Sequence, residues 1–374
     1  MTRLVLLVFT CAALVASAGN VPADLKPSSV WKGMRIYRDI AYGPRADAPT
    51  EGEAYKSPWT GRDWTGHVYH SHRSGQFCDV FAAEGEIPAG APVYLNVHGG
   101  AWSQPWDKDG EGLRYILKLV KKGFVVFNMN YQLQEDVITR GNEVSRRPHA
   151  TFDDLVRDID AMVGFLKDDF LPKMGLAPRA IALGGGSAGA HLSMLYAWDQ
   201  DNPSVLNLNL RHALRIGFVV DMVGPSDLTS DDFLLPQFER KFPRGSFFDE
   251  QALERFFTLF DWLTDADLST LFARDERDAV RAALRKYSPI HLVTPKSVPA
   301  ILAYCQRWPF AKTDGCVPTS AYYDLMEKLA AYQVPHAGDI RTFRLHGLLG
   351  EGFEQWVADR VGEFAEIYLR QEGN

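Results

Sequence analysis

Ser187 is the residue with the plainest chemical prospects. It stands at the centre of Gly185-Gly186-Ser187-Ala188-Gly189, a G-x-S-x-G run, after the apolar strip Ile181-Ala182-Leu183 and before a helical stretch over residues 188–198. A strand, a sharp turn and a helix in that order lift a serine hydroxyl clear of a sheet, where it can act as a nucleophile. Gly185 and Gly189 leave room where side chains would meet neighbouring backbone. The helix N-terminus adds amide donors that favour developing negative charge. A glycine-rich turn with an incidental serine is the other reading. A phosphate-cradling loop would need a Gly-Lys-Ser/Thr here, and none follows.

A second run bears on the same chemistry. His98-Gly99-Gly100-Ala101-Trp102 follows the apolar strip of residues 93–97. Two glycines let backbone amides turn toward a bound carbonyl, and such donors stabilise an oxyanion. The expected donors are the amides of Gly99, Gly100 and Ala188. His98 reads as a brace for the loop. Trp102 reads either as the wall of an acyl pocket or as a core residue.

The elements that would carry these residues alternate. Strands are expected over residues 93–97, 124–128, 180–183, 216–220, 299–305 and 340–345. Helices are expected over 109–122, 152–170, 188–198, 320–331 and 353–369. Strands alternating with helices imply parallel βαβ units with helices on both faces of the sheet. The expected class is therefore α/β, with a mostly parallel central sheet in one domain over residues 76–374. Residues 19–75 are rich in Pro, Gly, Trp and Tyr and read as an N-terminal extension packing on the core. Residues 227–286 break the rhythm and read as a helical cap insertion. Phe256, Phe257, Phe260 and Trp262 in it either face a substrate or pack the cap onto the core.

The two glycine runs together, the Ser187 run read on through Ala190 to His191-Leu192, resemble the serine esterases of the α/β-hydrolase fold. The resemblance is to the hormone-sensitive-lipase-like group and its acetyl esterase and feruloyl esterase-like branch. The segment from Asp221-Met222-Val223-Gly224 to Pro225-Ser226-Asp227-Leu228 and the run Ser288-Pro289-Ile290 extend it, over roughly residues 76–370. The resemblance implies hydrolysis of carboxylic esters through an acyl-enzyme, with no metal or organic cofactor and a small-molecule ester as partner. It also implies an acid on a D-x-x-V-P run, here Asp314-Gly315-Cys316-Val317-Pro318, where Asp314 would orient a histidine. The segment from Cys305 to Thr313 departs from the family by its length and its Trp308-Pro309-Phe310.

The base is the open point. The family places it in a G-x-G-H-G-F-like run after the last strand. The matching run here is Leu348-Leu349-Gly350-Glu351-Gly352-Phe353, with Glu351 at the histidine position. Three readings follow. His346, five residues earlier, completes the chain order Ser187, Asp314, His346. Glu351 acts as the base itself, although a carboxylate is a poor base for serine unless burial raises its pKa. Or the protein is a degenerate hydrolase that binds a ligand and turns it over slowly or not at all. His191 lies one helical turn past Ser187 and reads as a packing residue. Neither His149 nor His291 has partner spacing that makes a site. His67, His70 and His72 lack a Cys or carboxylate pattern to complete a metal set.

Composition bounds the rest. The chain has 374 residues, is 46% hydrophobic and 12% aromatic, and carries a formal charge of −7. It can bury a large core, and without a basic run it is a poor partner for nucleic acid. Arg3, the apolar residues 4–15 and Ala16-Ser17-Ala18 read as a cleavable signal over residues 1–18, with secretion or a periplasmic location as the expectation. No membrane span is expected after its removal. Cys11 in the apolar run lacks a lipobox, so no lipid anchor is expected. In an oxidising compartment Cys305 and Cys316 either pair or stay as thiols. The oligomeric state is not readable from the sequence.

Overall fold

A computed structural model describes residues 27–44, 75–102, 108, 113–133, 137–140, 143–146, 150–238, 274–314, 316–344, 346 and 350–370. The signal segment, Cys11, His67, His70, His72, His149 and the cap aromatics from Phe256 to Trp262 lie outside the described residues.

Strands β1 (Ser29–Trp31), β2 (Met34–Ala41), β3 (Phe77–Ala83), β4 (Val93–Val97) and β5 (Val125–Met129) open the main sheet. A short separate ladder pairs β6 (Val137–Arg140) with β7 (Glu143–Arg146). The main sheet continues with β8 (Ala180–Gly186), β9 (Arg215–Met222), β10 (Ala300–Gln306) and β11 (His336–Thr342). Its spatial order is β1-β2-β3-β5-β4-β8-β9-β10-β11. The first three neighbour pairs are antiparallel, and every pair from β5 to β11 is parallel. This is the expected mostly parallel α/β sheet. The segment before residue 76 contributes two of its strands, β1 and β2, where the sequence suggested only a packed extension. Its turn-rich composition hid two short antiparallel strands.

Alternation builds two cores. In β4, Val93, Leu95 and Val97 face one side and Tyr94 the other. In β5, Val125, Phe127 and Met129 oppose Val126. Period-2 alternation sends successive side chains to opposite faces. Helix α1 (Leu113–Lys121) covers the Tyr94 and Val126 face through Tyr115, Ile116, Leu119 and Val120. Helix α2 (Phe152–Phe165) covers the other face. Thr151 caps α2 in a reciprocal box with Asp154, satisfying two orphan donors. The helix expected to run unbroken to residue 170 instead passes through a π turn at Leu166–Phe170 into α3 (Leu171–Lys173).

Every residue of α4 (Ala188–Asp199) is buried, as fits a helix that is apolar all round. Helices α5 (Asp231–Phe238) and α6 (Arg274–Arg285) form the described ends of the insertion. Helices α7 (Ser320–Ala331) and α8 (Glu351–Tyr368) complete the fold. Phe353, Val357 and Val361 of α8 join the α1 face.

The last strand differs from expectation. It spans His336–Thr342 instead of starting at residue 340, and every residue in it is half-buried. As an edge strand rich in polar residues it carries no apolar run to mark its start. Its end at Thr342 leaves three residues before His346.

Candidate active site

Ser187 occupies the single residue between β8 and α4. Its φ of 51° and ψ of −119° lie in a region that L residues rarely adopt, a strain of about 1–3 kcal/mol that surrounding structure must impose. Two contacts do so. The Ser187 amide donates to Met222 O on the neighbouring strand at 2.8 Å, and Ser187 O accepts from His191 N at 3.0 Å. A Cβ at Gly185 would lie 2.0 Å from Val97 O, and one at Gly189 would lie 2.1 Å from the same atom. The elbow is therefore pressed against the end of β4, where the His98 loop begins.

That loop turns through three successive positive φ values, 105° at Gly100, 47° at Ala101 and 60° at Trp102. Glycine takes the first at no cost, but Ala101 and Trp102 must be held. His98 does part of the holding. It is fully buried, its ring stacks on Tyr131 at 4.3 Å, and its Nδ1–H donates to Gly99 O at 2.7 Å. Burial lowers its pKa to about 4, so the ring is neutral. Tyr131 Oη donates to His98 O at 3.0 Å, and nothing in the sequence reading pointed to that tyrosine. The His98 loop and the start of α4 thus meet at the elbow, with Gly189 packed against the carbonyls of Val97 and His98.

Trp102 corrects one expectation. Its indole is 2% exposed, packs edge-on against Phe152 and His191, and donates to His191 Nδ1 at 3.2 Å. A ring enclosed this way belongs to the core and does not wall an open acyl pocket. His191 in turn donates from Nε2 to Tyr287 O at 2.8 Å, and burial lowers it to about 4. It is a neutral packing residue.

The three residues expected to act together are brought together. His346 Nε2 lies 2.8 Å from Ser187 Oγ, and His346 Nδ1 lies 2.7 Å from Asp314 Oδ2. The other carboxylate oxygen of Asp314 accepts from the amides of Cys316 at 2.9 Å and Val317 at 2.8 Å. Asp314 is 1% exposed. The segment after β10 is held by its own bonds on either side of Asp314. Trp308 O accepts from Ala311 N, Thr319 donates through both its amide and its hydroxyl to this loop, and Thr313 bridges Pro318. Trp308 and Phe310 are left exposed on that loop, and Phe343 beside the turn to His346. Arg344 N donates to Gln306 O and His346 N to Asp314 O, which ties these two residues after β11 to β10 and to the acid. Glu351 is the first residue of α8. Its carboxylate is 86% exposed and lies 3.9 Å from Lys118 Nζ.

Cys305 is a buried thiol and forms no bridge to Cys316. Among the described residues, no group of three or more His, Cys, Asp or Glu side chains is arranged to hold a metal ion. No described helix is long and apolar enough to cross a membrane.

The family model BD-FAE matches residues 78–256. Esterase LipC of Mycobacterium tuberculosis is 22% identical over 316 residues, covering 81% of this chain and 64% of LipC. Esterase LipQ of the same organism is 27% identical over 115 residues, 31% of this chain and 24% of its own length. The chain thus spans less than two thirds of these relatives. Among solved structures, esterase B from Lactobacillus rhamnosis superposes with a TM-score of 0.55 at 16% identity, covering 91% of this chain and 89% of that one. A bacterial heroin esterase gives 0.56 at 14% identity over 92% and 87%. A truncated carbohydrate esterase from gut microbiota gives 0.56 at 13% over 93% and 100%. The chain belongs to the α/β-hydrolase fold, and within it residues 78–256 carry the BD-FAE family match.

Proposed function

We propose that this protein is an exported serine hydrolase of carboxylic esters with a small acyl group, such as acetyl, on a small-molecule substrate. The observation that carries the reading is the 2.8 Å contact between His346 Nε2 and Ser187 Oγ. In this reading His346 takes the hydroxyl proton as Ser187 attacks the ester carbonyl. Asp314 holds the imidazole with Nδ1–H toward itself and stabilises the imidazolium. The amides of Gly99, Gly100 and Ala188 receive the oxyanion. His346 then returns its proton to the leaving alcohol, and water, deprotonated by the same ring, releases the acid from the acyl-serine. No cofactor is needed for any step.

The names of LipC and of the solved esterases support the ester class. The acetyl preference rests on resemblance, export on residues 1–18, and a substrate-covering cap on the insertion at 227–286. The alternative of a non-catalytic binding protein drew on Glu351 at the family's histidine position. With Glu351 exposed at the start of α8 and His346 against the serine, no observation favours it.

The test is hydrolysis of p-nitrophenyl acetate and butyrate by the protein lacking residues 1–18, beside Ser187→Ala and His346→Ala. Both variants are expected to lose at least about 10³-fold in kcat. An inert wild type, or a fully active His346→Ala variant, rejects the reading.

A further inference from the structure

A second buried carboxylate lies just behind the elbow. Asp221, near the end of β9, pairs in register with Gly185 on β8 and is fully buried. Its Oδ1 accepts from Gly224 N at 2.7 Å, and its Oδ2 lies 2.7 Å from Tyr304 Oη on β10. Tyr304 Oη also contacts Gly224 O. Among the described residues, no cation forms an ion pair with Asp221.

Counting protons decides what this arrangement is. Gly224 O can only accept. An ionised carboxylate can only accept. Tyr304 Oη has one proton to give and makes two contacts with acceptors. Unless the phenol shares its one proton in a weaker three-centre bond, two full hydrogen bonds need a second proton, on Asp221 Oδ2 and donated to the phenol. Burial points the same way. It raises Asp221 to about 7 and pushes Tyr304 well above its ordinary value, so the phenol keeps its own proton.

The segment it fastens matters to Ser187. Met222 O is the acceptor for the Ser187 amide, and the next residue, Val223, is buried with a φ of 56°. A β-branched residue in that region is a real outlier and needs outside support. Gly224 sits against α4 so closely that a Cβ there would lie 2.7 Å from Ala190 Cβ and 3.1 Å from His191 N. We propose that Asp221 is held as a neutral carboxylic acid that donates to Tyr304, and that this proton locks the turn from Asp221 to Gly224 and, through Met222 O, the backbone of Ser187. Asp221 is then a positioning residue for the esterase chemistry proposed above. Loss of its proton leaves one phenolic hydrogen for two acceptors and an uncompensated buried charge, and the turn loosens.

Other groups around the pair are accounted for. Tyr322 of α7 packs on Tyr304 at 5.3 Å, His191 of α4 is neutral, and Asp314 after β10 adds negative charge near the phenol. The register partner of Asp221 on β8 is Gly185. None of these supplies a positive charge that would draw the proton off Asp221.

A folded pKa above the unfolded value favours the protonated native state. That stability is present in full below the unfolded carboxylate range and is lost as pH rises toward about 7.

Asp221→Asn keeps the pattern at every pH, because its Oδ1 accepts from Gly224 N and its Nδ2–H donates to Tyr304. Melting temperatures of wild type and Asp221→Asn should therefore diverge between pH 5 and 8.5, wild type losing roughly 5 °C relative to the variant. On p-nitrophenyl acetate, wild-type kcat should fall roughly fivefold from its maximum on the alkaline side, with KM unchanged, while Asp221→Asn holds its plateau. Parallel melting curves, or wild type gaining on the variant as pH rises, would mean a charged Asp221 and overturn the proposal. If the wild type hydrolyses no ester at any pH, the esterase reading fails and melting alone decides the proton. Should the variant fail to fold, wild type labelled with ¹³C-aspartate gives an infrared test. A carboxylic-acid carbonyl band at pH 6 that is gone by pH 9 supports the proposal, and no such band rejects it.

Discussion

The imidazole of His346 has two tautomers, and only one can serve Ser187. Nε2 must be bare to take the hydroxyl proton, so the hydrogen must sit on Nδ1. Asp314 enforces this, since Oδ1 is committed to the Cys316 and Val317 amides and Oδ2 is an acceptor 2.7 Å from Nδ1. Asp314→Asn presents either an amide oxygen or an N–H to that nitrogen. With Oδ1 still accepting from the two amides, the N–H faces His346 and selects the wrong tautomer. The expected result is a kcat loss on the order of 10³–10⁴ with KM nearly unchanged, read from steady-state kinetics on p-nitrophenyl acetate. Glu351→Gln is the matched control and should change kcat by less than about twofold, because a surface charge near Lys118 has little to transmit. The sequence carried Ser187 and Asp314 in recognisable runs. It left His346 open because glycine alignment put Glu351 in the expected place. What brings His346 beside Ser187 and Asp314 is the end of β11 at Thr342 and the two backbone bonds from Arg344 and His346, neither of which is written in residue type.

The loop from His98 to Trp102, the proposed oxyanion loop, is an element held from outside. Glycine at Gly100 explains one positive φ, but Ala101 and Trp102 continue in the left-handed region without that freedom. Their support comes from β5 and the residues after it, through Tyr131 stacking on His98 and donating to its carbonyl. Tyr131→Phe keeps the ring stacked and removes only the donor. It is expected to lower kcat roughly 3- to 10-fold while leaving KM within about twofold, since amides that stabilise a transition state lose more from a small displacement than ground-state binding does. An unchanged kcat would mean the stacked ring alone sets the loop. Legibility at this scale follows the same division. Buried strands such as β4 and β8 are near-continuous apolar runs and were readable. The edge strand β11 is half-buried and polar, and the N-terminal strands β1 and β2 sit among turn residues, so periodicity misplaced or missed them.

Across the whole molecule, one buried cation joins the antiparallel strands to the parallel part of the sheet. Lys108 is 1% exposed, and its Nζ lies 2.8 Å from both Asp39 and Asp79, while Arg38 holds the far side of Asp79 at 3.0 Å. Its backbone is clamped by Asn130, which accepts from Lys108 N at 2.7 Å, and by Asn128, which donates to Lys108 O. Asn128 in turn accepts from Asn96 on β4, two residues before His98. A lone lysine gives no local sign of burial, since its partners come from residues about 30 and 70 positions earlier in the chain. Removing the ammonium strands Asp79, which is fully buried, with one cation where it had two. Breaking a buried network from one side costs about 3–5 kcal/mol, so Lys108→Met should lower the melting temperature by on the order of 10 °C. Because the pair is shielded from solvent, the difference should persist in 0.5 M salt, whereas an exposed pair would be screened. Lys118→Met provides the comparison, with an exposed partner in Glu351 and an expected shift within about 2 °C. If the two variants melt together, the N-terminal strands are held by packing alone. If Lys108→Met also lowers kcat, the polar ladder through Asn128 and Asn96 carries part of that support to the His98 loop.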